Sequence, residues 1–303
     1  MKKKVLILGG GYSKERYISL KSAKAVRKSL KSLYKVKFCD PSNNFFKTIE
    51  HFKPDVIFNA LHGRFGEDGY IQSILESLNI KYTHSGVISS MKAMDKEISK
   101  KIFKINKILT PKYIKIKSDH NKINYIKIES NLNYPVVIKP INEGSSLDVF
   151  ICKNRLSLLK NLKKMKNYKE ILVEKFIPGR EIQVAIMGNK KLGAIELKPK
   201  RQFYDYTAKY SSNAKTEHII PVNLSKKNYE KINEIAMKAH KLLKCRGITR
   251  SDFKFYNGKF YLLELNTQPG MTNLSLVPEI AAYRGINFRS LTSWMIKDAS
   301  KKR

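Results

Sequence analysis

The sequence predicts an α/β chain, α+β in its later part, and three observations carry that expectation. Val5-Leu-Ile-Leu8 is a short apolar run that ends in Gly9-Gly-Gly11 and leads into helical periodicity, the opening of a doubly wound parallel unit. Farther on, Glu181 to Met187 alternates, turns at Gly188-Asn189 and returns over Lys191 to Leu197, as antiparallel strands do. Near the end, Ser251 to Tyr256 and Lys259 to Leu265 flank Asn257-Gly258, a hairpin dipeptide. With 303 residues and 42% hydrophobic content, the chain can fill two or three cores.

The elements follow in order. An amphipathic helix runs from about Lys14 to Leu30, and Asp55 to Ala60 is the next clear strand. That strand ends in a polar, glycine-rich loop, Leu61 to Gly69, before a helix from Tyr70 to Asn79 with Ile71, Ile74, Leu75 and Leu78 at helical spacing. The opening glycine turn lacks the full dinucleotide fingerprint. A second unit starts near Ser85-Gly86, with a helix from about Asp95 to Asn106 and Asp95 as its N-cap. Pro135 to Lys139 and Ile171 to Lys175 read as strands, and Pro178-Gly179 marks the next boundary. Residues 198–215 are polar, aromatic and poorly periodic; a loop of that length is usually functional, often a lid. A long helix covers about Ser225 to Lys244. These breaks divide the chain into residues 1–86, 87–179 and 180–303.

Composition narrows the classes. Cys39, Cys152 and Cys245 are far apart and odd in number, so each reads as a small buried apolar residue, in keeping with a reducing cytoplasm. The apolar run after Met1-Lys-Lys-Lys4 stops at Gly9, short of a signal peptide, and nothing approaches a membrane span. A cytoplasmic protein with no membrane role is expected. The net charge of +35 raises nucleic-acid binding, but the lysines are dispersed and no recognised nucleic-acid motif accompanies them. They read as solvated faces that also attract anionic substrates.

The final hairpin carries the sharpest chemistry. Glu264 and Asn266 sit two apart in an apolar strand and so share a face. A carboxylate beside Leu262, Leu263 and Leu265 is costly to bury without a cation. Mg²⁺ takes oxygen ligands of this kind, usually one or two carboxylates together with a nucleotide's phosphates. Asp252 joins them if the register allows. A two-residue Asn257-Gly258 turn would pair Asp252 with Leu263 and turn its carboxylate away from Glu264. A three-residue loop, Tyr256 to Gly258, pairs Asp252 with Leu262 and aligns all three; that loop is the expectation.

Lys139 at a strand end can reach phosphates, and Glu143-Gly-Ser-Ser146 supplies small residues and hydroxyls beside it. Together with the acidic hairpin, this combination resembles the ATP-grasp enzymes. Gly10 to Arg16, Ala60 to Arg64 with Gly66 to Gly69, Met94 to Lys96, Phe203 to Tyr206 with Ala208 to Tyr210, Glu264 to Thr272 and Ser275 to Pro278 are similar to the D-alanine:D-alanine ligases, in order and spacing.

The resemblance implies a three-domain ATP-grasp architecture: an N-terminal doubly wound domain and two α+β domains that sandwich ATP. Lys96, Lys139 and Ser146 would meet ATP's phosphates, with Lys209 reaching the γ-phosphate from the lid. Glu174, Lys175, Phe176 and Ile177 would frame adenine, and Glu181 would bind ribose. Asp252, Glu264 and Asn266 would hold two Mg²⁺ ions, which Mn²⁺ can replace. Glu15 would hold the first D-alanine, linked through Ser145 and Tyr210 to the lid, with His62 nearby. Arg250 and the Gly270 N–H would stabilise an oxyanion; Ser275 and Leu276 would cradle the second D-alanine. The implied activity is ATP-dependent formation of D-alanyl-D-alanine for peptidoglycan, by a homodimer. The resemblance implies that a lid tyrosine goes with dipeptide formation and a histidine in that region with D-alanyl-D-lactate, the alternative within the class; His218 lies slightly downstream, outside the Ala-Lys-Tyr match. A silent nucleotide-binding relative and a basic nucleic-acid binder are the readings from other classes. Two departures stand out: Leu147-Asp148, where a small apolar residue and glycine are common, and Phe176 in place of a tryptophan.

Overall fold

Four short strands, β1 (Lys4–Leu8), β2 (Lys35–Cys39), β3 (Val56–Asn59) and β4 (Lys81–Tyr82), lie parallel in the order β2-β1-β3-β4. The computed structural model describes residues 2–117, 125–144, 147–198, 216–272 and 275–301. Helices α1 (Arg16–Leu30), α2 (Phe45–Phe52) and α3 (Tyr70–Ser77) make the crossovers. Alternation sorts the side chains: Val5, Ile7, Val56 and Phe58 pack with Ala23, Val26 and Leu30 of α1, while Leu6, Leu8 and Ile57 pack with Phe45 of α2 and Ile71 and Leu75 of α3. The sheet is doubly wound, as expected. Its order reverses between β1 and β3, which opens a crevice beyond their carboxyl ends. The loops carrying Glu15 and His62 leave the sheet there.

A second sheet is antiparallel. It comprises β5 (Tyr113–Lys117), β6 (Val136–Pro140), β7 (Phe150–Cys152) and β8 (Glu170–Lys175), in the order β5-β8-β6-β7. On one face Val136, Ile138, Ile171 and Val173 pack on α6 (Tyr125–Leu132) and α7 (Arg155–Lys164).

The third sheet is antiparallel too. Its strands are β9 (Arg180–Met187), β10 (Lys190–Lys198), β11 (Glu217–Ile219), β12 (Ile248–Tyr256) and β13 (Lys259–Asn266), in the order β11-β10-β9-β12-β13. One face holds α8 (Lys226–Leu242), with Ala93 at the end of α4 (Val87–Met94), Phe103 of α5 (Lys96–Ile105) and the following Ile108. The other shares a core with the parallel sheet: Ala185, Met187 and Ile195 join Val5, Ile7 and Phe58, together with α9 (Leu276–Tyr283) and α10 (Phe288–Asp298). All three cysteines are buried and free. Among the described residues, no helix is long and apolar enough to cross a membrane.

The β12–β13 hairpin corrects the expected register. Asn257 (φ 46°) and Gly258 (φ 69°) form a two-residue turn, with Tyr256 opposite Lys259, and not the three-residue loop. The ladder reaches Phe253 opposite Leu262 and then jumps to Asp252 opposite Glu264. Leu263 is therefore the extra residue of a β-bulge. Leu262 and Leu265 enter the core, whereas Leu263 and Glu264 both line the cleft described next. A bulge, and not a longer turn, sets the two carboxylates opposite each other.

Candidate functional site

An open cleft lies between the two antiparallel sheets. One wall is the face of the second sheet that α6 and α7 leave uncovered, with Val137, Lys139 and Glu174, followed by Lys175, Phe176 and Ile177 where the chain leaves β8. Opposite stand Glu181 of β9, Asp252 and Lys254 of β12, and Leu263 and Glu264 of β13. Lys96 opens α5 at one end, beside Glu143 and Gly144. The predicted nucleotide residues among these converge. Lys175 turns its ammonium onto the carbonyls of Asn133 (3.1 Å) and Tyr134 (3.4 Å). What Lys175 and Phe176 hold in place through the backbone is the end of β8: their N–H groups donate to the carbonyls of Lys112 (2.8 Å) and Pro135 (3.2 Å).

The electrostatic centre is a buried cluster. Glu174 lies 2.6 Å from the Lys139 ammonium and 2.9 Å from that of Lys100, which is fully buried. Burial opposes the charge on Glu174, but the two lysines outweigh it and keep its pKa below the usual carboxylate value. Burial pulls Lys100 down to about 8, with Glu174 resisting the fall. Lys96 is lowered as well, chiefly by burial, and donates to the Glu143 carbonyl at 2.5 Å. Lys96 and Lys100 are one helical turn apart, so α5 delivers both to the same side. Its start is fixed by the Asp95 side chain, which accepts from the N–H groups of Glu97 and Ile98, as the sequence predicted.

On the hairpin, Arg250 forks onto Asp252 with Nε–Oδ1 and Nη2–Oδ2 separations of 2.7 and 2.9 Å. The Lys96 ammonium is 3.6 Å from Glu264 Oε2. Asn266 lies opposite Arg250, and its Oδ1 accepts from the Gln268 N–H at 2.7 Å. Among the described residues, no cluster of three or more His, Cys, Asp and Glu could hold a metal. The hairpin instead offers two carboxylates in the cleft, Asp252 beside Arg250 and Glu264 beside Lys96, while the Asn266 amide oxygen is turned to the Gln268 N–H and is not among the cleft-lining groups. That donor set fits a hard divalent ion completed by phosphate oxygens.

Residues predicted to bind substrate, Glu15 and His62, lie at the crevice of the parallel sheet. Glu15 is buried where two loops meet: a Cβ added to Gly144 would lie 2.7 Å from its Oε1, and one on Gly63 would lie 3.0 Å away. His62 is buried and held at both ring nitrogens, 3.0 Å from Glu67 Oε1 and 3.0 Å from Ser22 Oγ. Ser22 Oγ also accepts from the Met271 N–H at 3.3 Å, which ties this crevice to the segment after the hairpin. Gly270 packs on Ser275, since an added Cβ would sit 3.0 Å from Ser275 Oγ. Ser275 is the N-cap residue of α9, followed by the buried Leu276. His218 is bonded to Glu279 of α9 at 2.7 Å. Ser145, Ser146, Lys209, Tyr210 and nearly all of the predicted lid lie outside the described residues.

Several neighbours of these residues have no signal in the sequence. Lys100 and Lys254 are charged residues of ordinary helical and strand spacing; Lys254 lies 3.0 Å from Glu181. Asn59 donates to Gln268 Oε1 at 2.8 Å, a buried amide pair that joins β3 to the hairpin's exit. The unusual Asp148 adopts φ 53°, which explains why glycine suits that position. Its carboxylate accepts from the Tyr168 hydroxyl at 2.5 Å and lies 3.9 Å from the Lys14 ammonium.

Known proteins resemble this chain along nearly its whole length. A family model described as D-ala D-ala ligase C-terminus matches residues 102–297, and one described as D-ala D-ala ligase N-terminus matches residues 41–85. The chain is 67% identical to a D-alanine–D-alanine ligase of Pelagibacter ubique (strain HTCC1062), with 100% of each covered. It is 44% identical to that of Wolbachia pipientis wMel, over 97% of this chain and 94% of the relative. A crystal structure of D-alanine–D-alanine ligase from Bacillus anthracis complexed with ATP superposes with a TM-score of 0.86 at 31% identity, covering 98% of this chain and 97% of that one. With its three sheets, its cleft and these full-length relatives, the chain has the ATP-grasp fold and belongs to the D-alanine–D-alanine ligase family.

Proposed function

We propose that the protein joins two D-alanine molecules into D-alanyl-D-alanine, with cleavage of ATP to ADP and phosphate, for peptidoglycan precursors. The observation that carries this reading is the cleft in which Lys96 and Lys139 stand with Asp252 and Glu264, cations and oxygen donors gathered at one place. We propose the division into residues 1–86, 87–179 and 180–303 as well. It is supported by the three sheets, with the qualification that α4 and α5 pack on the third.

In this reading Lys96, Lys139 and Ser146 bind the phosphates as donors, and Lys209 adds a charge at the γ-phosphate. Glu174, Lys175, Phe176 and Ile177 frame adenine; Glu181 takes the ribose hydroxyls. Asp252, Glu264 and Asn266 would hold Mg²⁺, or Mn²⁺ in its place, which when bound neutralises charge between phosphoryl oxygens. Glu15, kept buried by Gly63 and Gly144, holds the ammonium of the first D-alanine. That molecule's carboxylate attacks the γ-phosphorus and ADP leaves, giving an acyl phosphate. The amine of the second D-alanine, seated at Ser275 and Leu276, attacks the acyl carbon, loses a proton, and phosphate departs. Arg250 and the Gly270 N–H stabilise the oxyanion that forms between these events. His62, clamped by Glu67 and Ser22, keeps the Glu15 crevice in shape. Ser145 and Tyr210 link Glu15 to the lid. A cytoplasmic homodimer is proposed from the resemblance, and light scattering tests the dimer.

The test is phosphate release from ATP with D-alanine, L-alanine or D-lactate added in turn. Release with D-alanine alone is expected. Glu264→Gln should reduce it at least about a hundredfold while the fold survives, as expected when transition-state charge stabilisation is lost. Release with another amino acid but not with D-alanine would reassign the substrate, and a fully active Glu264→Gln would remove the metal assignment.

A further inference from the structure

Lys254 is a mostly buried charged residue in the wall of the cleft. It stands on β12 opposite Glu181 of β9, and its ammonium lies 3.0 Å from Glu181 Oε2. Both side chains line the cleft, 14% and 9% exposed. Ile177 and Leu263 line the same cavity, so a methionine or leucine would fill this wall without desolvating an amine. An ammonium in such a wall serves a polar partner. Glu181 is one, but a lysine has three donors.

We infer that Lys254 joins Glu181 as a second recognition group for the nucleotide's vicinal ribose diol. This rests on the proposed ATP reading and deepens it. A hydroxyl both donates and accepts. A carboxylate alone accepts from two hydroxyls and leaves their oxygens unserved. A carboxylate and an ammonium 3.0 Å apart match a hydroxyl in both senses. The cross-strand pairing of β12 with β9 fixes the separation, so the site is preorganised. Lys254 also holds Glu181 in place by a charge-assisted bond. The site therefore favours a ribonucleotide over its deoxy forms.

The experiment is calorimetric binding of ATP, 2′-deoxy-ATP and 3′-deoxy-ATP without D-alanine, to the wild-type protein, Lys254→Met and Lys254→Arg. The wild-type protein should prefer ATP by about tenfold or more, the loss expected when a hydrogen bond to a charged group is removed. Lys254→Met should weaken ATP by about tenfold and the deoxy forms much less, so that the preference collapses. Lys254→Arg should recover part of it. Lys254→Gln carries the same expectation as methionine should the methionine variant fail to fold. An unchanged ratio of ATP to deoxy-ATP affinity, or equal weakening of all three nucleotides, overturns the inference. Failure of the wild-type protein to bind any adenine nucleotide would instead overturn the ATP reading beneath it.

Discussion

Asp148 shows how one side chain can answer a backbone demand. Its φ of 53° is strained for residues with a Cβ, and aspartate is among the few that tolerate it. Here the carboxylate also anchors itself on Tyr168, with Lys14 close by. Asp148→Gly loses the anchor but relaxes the backbone; Asp148→Ala loses the anchor and keeps the strain. In urea titrations the alanine variant should be less stable than the glycine variant by about 1 kcal/mol. Equal stabilities would mean that φ at this position costs nothing. The sequence showed that Asp148 was out of place but not why, because φ is invisible in a residue letter. The strand that carries Glu264 to the cleft was legible for the opposite reason: an apolar run of this length is a local property. The Lys100–Glu174 contact was not legible, since it joins α5 to β8 across the fold.

At the scale of elements, the start of α5 is the most consequential cap. Asp95 accepts two backbone N–H groups immediately before Lys96, and Lys96 and Lys100 both project from the turns that follow. Asp95→Ala should lower stability by about 1 kcal/mol, and Asp95→Asn by much less, as measured by thermal unfolding. The alanine variant should also raise KM for ATP, because the first turn that frays is the one bearing Lys96. An unaltered KM beside a lowered Tm would separate the cap from the site. This cap was readable from its letters, as were the doubly wound opening and the long helix α8, whose apolar spacings are long and regular. The β12–β13 register was not. Both candidate turns suited Tyr256 to Gly258, and a bulge has no letter of its own; what decides it is that Leu262 and Leu265 must both be buried while Glu264 is not. Edge strands β2 and β5, with lysines alternating along them, also gave weak signals.

For the whole molecule, burial of charge sets a pH response. Lys100 falls from 10.5 to about 8 in the folded chain, chiefly through burial. The unfolded chain thus binds more protons between those values, and stability due to this residue rises with pH across that window. Below pH 8 both forms are protonated and the effect is flat. Urea unfolding at pH 7 to 10 should show the wild-type protein gaining on Lys100→Met above about pH 8. A constant difference over the whole range would show that Lys100 is not desolvated. At pH 7 removing Lys100 should cost less than the roughly 3–5 kcal/mol of a broken buried pair, because Lys139 still neutralises Glu174.

The cores are distributed unevenly around that cluster. Parallel and five-stranded sheets share one interior, whereas the core behind β5 to β8 draws, among the described residues, on residues 114–173 alone. The second sheet is therefore joined to the rest at the cleft by polar links, Lys100 to Glu174 and Lys96 to Glu143, and packs its own apolar core. Whatever lodges in the cleft touches both walls, and the ion pair of Lys100 with Glu174 already bridges them where the oily clusters stay apart.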